Sequence, residues 1–399
     1  MRNRTLSLSI VLVLVLVTAV SAFVLLNKST KKDKIYFEAD SSKNYSVVPT
    51  QQREILNDQI SNQRRNLITE TVKKVSPAVV GISVTEIRQY RDPMYSFFED
   101  DPFWRNFFGG RTIPQEVKML GSGTIISPDG YILTNDHVAG NGNKITVTLT
   151  NGKHLEAKKV GTDPASDICL LKIDGNNLPY IPLGNSDDVL IGEWVIALGN
   201  PMGLFEINDQ PTVTVGVISA TGMNLDPVNN RYYLGMIQTD AAINSGNSGG
   251  PLVNSVGELI AMNTLIYTAG SSGSIGLGFA IPINKVKRIV EELRKNGTID
   301  RNFWVGMSVQ TIDDGIADYY KLASSKGVIV THIDANSPAA KAGIDVGDII
   351  TEVEGFKITN EQSITGIFQE FRTGQTISLK IIREKENLIK KMKLERAKK

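Results

Sequence analysis

From residue 77 to about residue 282 the chain alternates short β-prone runs with turn residues. Pro77–Val84 opens the series, and Pro128-Asp129-Gly130 separates Thr124–Ile126 from Tyr131–Leu133. Asn151-Gly152 separates Ile145–Leu149 from Leu155–Val160. An Asn-Gly pair tolerates the positive φ that a tight hairpin needs, so these runs pair locally. Later runs are Trp194–Leu198, Thr212–Ser219, Leu259–Leu265 and Leu277–Ile281. Short strands at this spacing predict barrels or sandwiches. A chain of 399 residues has room for two or three domains.

The period changes at both ends of this region. A short helix is predicted over about 65–75, because Ile68, Val72 and Val75 fall at i, i+4, i+7. Asn284 starts another, with Val286, Ile289, Val290 and Leu293 on one face and Gly297 as its stop. From about 301 a smaller unit of strands and two helices follows. Ser337-Pro338 caps the first helix. The second carries Ile364, Ile367, Phe368 and Phe371 and stops before Gly374.

Leu6–Leu26 is a run of 21 residues without a charge. A helix of about 20 residues spans the hydrocarbon of a bilayer. The run reads as a retained anchor, because it stays apolar through Phe23–Leu26, past the small residues Val20-Ser21-Ala22 where a cleaved signal peptide would end. Anchor and signal peptide both export the rest of the chain. Residues 27–64 are polar and read as a tether.

Composition removes several functions. The 43 Lys and Arg against 42 Asp and Glu leave a net charge of +1, which gives no electrostatic case for nucleic-acid binding. One cysteine excludes an intrachain disulfide and a Cys-based zinc site. Three histidines, His137, His154 and His332, leave few candidates for imidazole chemistry.

The chemistry concentrates in Asn244-Ser245-Gly246-Asn247-Ser248-Gly249-Gly250-Pro251. Glycines around Ser248 allow a sharp turn and a close substrate approach. In such a loop the N–H groups of Gly246 and Ser248 can converge where an oxyanion forms. A serine nucleophile needs a base, and the base an orienting acid. His137 follows a strand-like run in Thr-Asn-Asp-His-Val, whereas His154 and His332 read as surface strand residues. Asp167 directly precedes the apolar Ile168–Leu171, whereas Asp163 precedes Pro164 and reads as a turn residue.

These residues resemble the HtrA (Deg) branch of the chymotrypsin-like serine proteases. The order His137, Asp167, Ser248 matches, with spacings of 30 and 81 residues. So do the strings GSGTIISPDGYILTNDHV, Asp-Pro-x-x-Asp, GNSGGPL and GLGFAIP. The resemblance covers roughly 65–395 and implies a mainly β fold, with two β-barrels and the triad in the cleft between them. Ser248 is then the nucleophile, His137 the base and then acid, Asp167 the orienter, and Gly246 with Ser248 the oxyanion donors; no cofactor or metal is implied. Residues 301–396 resemble a PDZ domain whose Val305-Gly306-Met307 loop captures a chain-terminal carboxylate. Ser337–Ile344 and Gly347–Ile350 are further strings of that kind.

The expected layout is DegS-like: 1–26 anchor or signal peptide, 27–64 linker, 65–283 protease domain, 284–300 connecting helix, 301–396 PDZ domain. It implies an ATP-independent endopeptidase of the cell envelope, acting on unfolded or regulatory proteins. The chain would be tuned by C-terminal peptides, held to the membrane by its N-terminal helix, periplasmic in its folded part, and assembled as a homotrimer. A non-proteolytic chaperone or PDZ scaffold is the alternative, and a missing triad residue would favour it.

Three positions depart from the family pattern: Ser245 where proline is common, Asp136 beside His137, and Cys169, which reads as core packing. Successive strand residues point to opposite faces, so Asp136 need not touch the imidazole. The ring-dense segment 89–115, from Tyr90 to Phe108, matches a regulatory and assembly loop of the family, or packs on itself over one barrel. The turn Ala269–Ser274 holds no aspartate, and small aliphatic residues are expected ahead of the cleaved bond.

Overall fold

Two closed barrels follow from the antiparallel pairing of the predicted runs. A computed structural model describes residues 66–91, 112–200, 205, 209–244, 246–266, 276–322 and 324–397. The apolar run Leu6–Leu26, the 27–64 tether, most of the 89–115 segment, Ser245 and the Ala269–Ser274 turn lie outside the described residues.

Helix α1 (Leu67–Val75) starts at a reciprocal cap: the Asn66 side chain accepts from the Thr69 N–H and the Thr69 hydroxyl accepts from the Asn66 N–H, both at 3.0 Å. It buries Thr71 and Val75. A 3-10 turn over Ser76–Ala78 follows, so the first strand begins at Val79 and not at Pro77. Proline has no N–H to give to a ladder.

The first barrel contains β1 (Val79–Arg91), β2 (Thr112–Ile125), β3 (Tyr131–Thr134), the one-turn helix α2 (Asp136–Ala139), β4 (Lys144–Thr148), β5 (His154–Asp163) and β6 (Ile168–Ile173). Its strands close in the order β1-β2-β3-β6-β5-β4. The second contains β7 (Trp194–Gly199), β8 (Thr212–Met223), β9 (Met236–Thr239), β10 (Pro251–Asn254), β11 (Leu259–Ile266) and β12 (Gly278–Pro282). It closes as β10-β11-β12-β9-β8-β7. Closure leaves no sheet edge open to pair with another chain. Ile82, Ile125, Leu133, Leu170 and Leu171 of the first barrel are buried in one cluster, which Ile196, Leu198 and Met262 continue into the second. Helix α3 (Ile283–Asn296) lies against β5 and β6 of one barrel and β11 and β12 of the other, burying Val286, Ile289 and Leu293. Gly297 ends it with φ +72, a conformation that costs glycine nothing.

The C-terminal unit comprises β13 (Phe303–Trp304), β14 (Met307–Thr311), α4 (Asp314–Tyr320), β15 (Val328–Ile333), α5 (Pro338–Lys341), β16 (Ile349–Val353), β17 (Phe356–Lys357), α6 (Glu361–Phe368), β18 (Thr376–Arg383), β19 (Glu386–Lys393) and β20 (Glu395–Arg396). The main sheet runs β14-β15-β16-β18-β19 over a core that includes Val328, Val330, Ile364, Ile367, Leu379 and Ile381. The expectation of two helices is corrected, since α4 is present as well. Its seven residues DGIADYY are too short to show a sustained period, although Ile316, Ala317 and Tyr320 pack with Ile312, Ile329 and Ile349; the Asp313 carboxylate caps it, accepting from the Ile316 N–H at 2.8 Å. The Ser337-Pro338 helix is a single turn, and α6 ends at Phe368, leaving Phe371 beyond it.

This unit is bound to the barrels by paired charges. Arg301 grips both oxygens of Asp163, with one bond of 2.8 Å, and reaches the Ser166 hydroxyl at 3.2 Å. Arg372 takes Glu292 of α3 bidentately at 2.8 and 3.0 Å. Leu234, from the β8–β9 connection, belongs to the C-terminal unit's buried cluster.

Candidate active site

The adjacency of β3 and β6 brings the first two chemical groups together. β3 pairs with β6 from Tyr131↔Lys172 to Thr134↔Cys169, so the residues just after β3 meet those just before β6. His137 lies on α2, one turn past β3, and its side chain is 34% exposed at the cleft. Asp167 ends the turn that joins β5 to β6, with φ +57. Aspartate tolerates this left-handed region better than most side chains. The twist aims its carboxylate under the imidazole. His137 Nδ1 is 2.8 Å from Asp167 Oδ2 and 3.0 Å from Oδ1, and the His137 backbone N–H donates to Oδ1 at 3.0 Å.

Asp167 is fully buried, so its charge has to be met by donors. The Thr264 hydroxyl donates to Oδ2 at 2.8 Å and the Tyr233 hydroxyl at 3.3 Å, while Arg231 Nε donates to Oδ1 at 3.2 Å. Burial alone would raise the carboxyl's pKa. The hydrogen bonds and charge of His137, with the Thr264 hydroxyl, outweigh it and hold Asp167 below its ordinary value. Asn135 fixes the same corner: its amide donates to the Asp167 carbonyl at 3.0 Å and to Thr264 Oγ1 at 3.1 Å.

Ser248 comes from the loop between β9 and β10. Its backbone is pinned from the first barrel, where the Ser122 N–H donates to the Ser248 carbonyl at 2.9 Å and the Ser122 hydroxyl to the Gly246 carbonyl at 2.6 Å. Gly249 has φ +84, and a Cβ there would sit 2.3 Å from the Ser122 carbonyl, so the loop closes against β2 only with glycine. Ser248 Oγ donates to the Thr264 carbonyl at 2.9 Å. Among the described residues no hydrogen bond joins it to His137. Thr264 therefore holds both ends of the constellation, the hydroxyl on Asp167 and the carbonyl on Ser248. The N–H groups of Gly246 and Ser248 donate to no other group among the described residues.

His154 is exposed at the start of β5 and meets Thr148 at 2.9 Å; His332 is exposed on β15 beside Asp334 at 3.3 Å. Neither joins His137. Cys169 is buried, and burial pushes its thiol up to about 12, so it stays uncharged in the core.

Two readings of acids are corrected. Asp136 is not a strand residue, although it makes no hydrogen bond to the imidazole among the described residues. It opens α2, is 6% exposed, and accepts from the Thr162 hydroxyl at 2.6 Å and from Arg231 Nη2 at 2.8 Å. Asp163 ends β5 and pairs with Arg301. Sequence reasoning also missed Thr264, Arg231 and Tyr233. Only Asn229-Asn230 signalled the last two: both have positive φ and make a tight hairpin, with Val228 and Arg231 exchanging bonds of 3.1 and 2.9 Å. Beyond that turn, Arg231 and Tyr233 point to Asp167. Tyr232 packs instead against α6, where a Cβ on Gly366 would lie 2.8 Å from its ring.

Val305, Gly306 and Met307 line a groove of about 430 Å³ between β14 and α6, together with Phe303, Ile364 and Phe368. Gly306 has φ +65, and a Cβ there would lie 2.2 Å from that of Ser337.

Trypsin-like peptidase domains match residues 121–262 and PDZ domains match residues 304–394. The chain is 39% identical over 347 residues to a probable periplasmic serine endoprotease DegP-like of Pseudomonas fluorescens, covering 83% of this chain and 71% of that protein. It is 38% identical to the protein of the same description from Hahella chejuensis, covering 80% and 68%. The solved HtrA-type protease AlgW with a decapeptide superposes with a TM-score of 0.62 at 34% identity, covering 84% of this chain and all of that one. The serine endoprotease from Yersinia pestis superposes with a TM-score of 0.55 at 32% identity, covering 84% and 99%.

Proposed function

Because this chain belongs to the HtrA/Deg family of serine proteases, we propose that Ser248, His137 and Asp167 are the residues that carry out its peptide-bond hydrolysis. The protein is a serine endopeptidase with one trypsin-like domain and one PDZ domain. The observation that carries the residue assignment is the buried Asp167 carboxylate 2.8 Å from His137 Nδ1, with the Ser248 loop pinned beside it through Thr264 and Ser122.

Asp167 holds the imidazole with Nδ1 protonated and Nε2 free to accept. Ser248 Oγ leaves the Thr264 carbonyl by moving to a neighbouring staggered rotamer and gives its proton to Nε2 as it attacks the scissile carbonyl. The tetrahedral oxyanion is met by the N–H groups of Gly246 and Ser248. His137, now protonated, gives its proton to the leaving amine, and water repeats the sequence on the acyl-enzyme. Asp167 stays ionised throughout. No cofactor takes part.

The groove between β14 and α6 takes peptide C-termini, with Val305, Gly306 and Met307 receiving the carboxylate and the apolar walls the last side chain. Occupancy reaches the protease domain through Tyr232 against Gly366 and through Arg301, which joins the Gln369 carbonyl to Asp163. The domains run 65–283 and 301–396, joined by 284–300. Leu6–Leu26 anchors the chain in the inner membrane, and residues 27–64 tether the protease on the periplasmic side. Three copies assemble through α1, whose Leu67 is 61% exposed and whose Ile68 and Val72 line a groove of about 480 Å³. The substrates are unfolded or regulatory proteins, cut after small aliphatic residues.

The test is cleavage of an unfolded protein with and without an apolar-ended peptide bearing a free C-terminus. The peptide is expected to raise kcat/KM at least about fivefold. Gly306→Ala, which forces a Cβ into Ser337, is expected to abolish that response. Equal stimulation of the variant would remove the carboxylate-binding assignment.

A further inference from the structure

Resting on the triad assignment above, we propose that Arg231 and Asp136 form a charge-balancing clamp that positions the orienting acid, Arg231 bridging Asp136 and Asp167 so that Asp167 keeps its full charge for the imidazolium. The geometry is specific. One guanidinium spans two carboxylates, through Nε to Asp167 Oδ1 at 3.2 Å and through Nη2 to Asp136 Oδ2 at 2.8 Å. Both carboxylates are buried, at 0% and 6% exposure, and the Arg231 side chain is 18% exposed. The remaining Asp136 oxygen is taken by Thr162.

The electrostatic consequence follows from counting charges. Arg231 alone beside Asp167 would compete with the imidazolium for the same carboxylate and oppose proton transfer from Ser248. Asp136 supplies the second negative charge, so the Asp136–Arg231 pair is neutral and Asp167 is left to His137. Burial works against the Arg231 charge, but Asp167 and Asp136 outweigh it and hold the guanidinium protonated more firmly than usual. Tyr233 also faces Asp167; burial and the Asp167 charge push its phenol up, so it stays neutral. The other titratable groups nearby are Cys169 on β6, Lys159 on β5, whose ammonium donates to the Gly140 carbonyl at 2.5 Å, and the Asp163–Arg301 pair. None of these bridges the two acids.

The test is the pH dependence of kcat/KM in the full-length protein, for wild type, Arg231→Gln, Asp136→Asn, the double variant and Arg231→Lys. Arg231→Gln leaves two negative charges beside His137, so the acid limb moves up by about one pH unit. Asp136→Asn leaves an uncompensated positive charge, so the limb moves down by about the same amount and the plateau falls roughly tenfold. The double variant returns the limb to within about 0.3 unit of wild type. Arg231→Lys keeps the charge but not the two-acid bridge; its limb stays and its plateau falls. A limb that moves the same way in both single variants, or in neither, overturns the clamp. If Arg231→Gln does not fold, as judged by circular dichroism, a limb that moves down in Asp136→Asn and stays in Arg231→Lys supports the clamp, and a limb that stays or moves up in Asp136→Asn overturns it. Loss of cleavage in Ser248→Ala tests the triad separately, so failure of the clamp and failure of the triad are read from different variants.

Discussion

Replacing Ser248 with alanine is expected to lower kcat for an unfolded protein substrate about 10⁶-fold, with the fold unchanged. The side chain makes one hydrogen bond, to the Thr264 carbonyl, and the loop is held by backbone and Ser122 contacts that alanine keeps. The oxyanion donors also survive, so a residual rate of about 10³-fold over uncatalysed hydrolysis should remain. Cleavage assays paired with thermal unfolding check both halves. A fluorophosphonate that labels wild type in the presence of C-terminal peptide should leave the variant unlabelled. Undiminished hydrolysis would exclude Ser248 as the nucleophile.

Asp167→Asn is expected to cost about 10⁴-fold in kcat while the protein stays folded. The carboxylate only accepts, from the His137 N–H and Nδ1–H, Thr264, Tyr233 and Arg231. An amide can turn its NH₂ toward Nδ1, which then becomes the acceptor and leaves the proton on Nε2, where Ser248 needs a base. The substitution also changes acid stability. The Asp167 pKa is lowered in the folded state, so its contribution is present above the unfolded carboxyl value of about 3.9 and is lost as pH falls through the folded value. Denaturant midpoints measured from pH 7 downward should therefore fall less steeply in that window for Asp167→Asn than for wild type. An identical slope would mean that the acid is not held ionised by its neighbours.

The His137, Asp167 and Ser248 positions could be singled out from sequence because each sits in a local signal. Ser248 lies among glycines that a strand would not tolerate, Asp167 at the entry to an apolar strand, and His137 just after another. Thr264 gave no such signal. It is a threonine in an ordinary β-run, and its double contact with Asp167 and Ser248 exists only because β11 passes the cleft. Asp136 was read with a two-residue strand period, whereas the chain turns into α2 at that point and swings its carboxylate toward Thr162 and Arg231. A one-turn helix is too short to leave a period in the sequence.

The sequence by itself determined the strand runs, the turns between them, the family and the residues able to act as nucleophile, base and acid. Those depend on neighbours within a few positions, through glycine's freedom at φ, hairpin dipeptides and apolar alternation. Only the tertiary structure decided which groups surround the Asp167 charge, how Arg231 is shared between two buried acids, and where Ser248 rests. Those contacts join residues 16 to 97 positions apart. Barrel closure fixes such distances, and no local pattern in the chain encodes them.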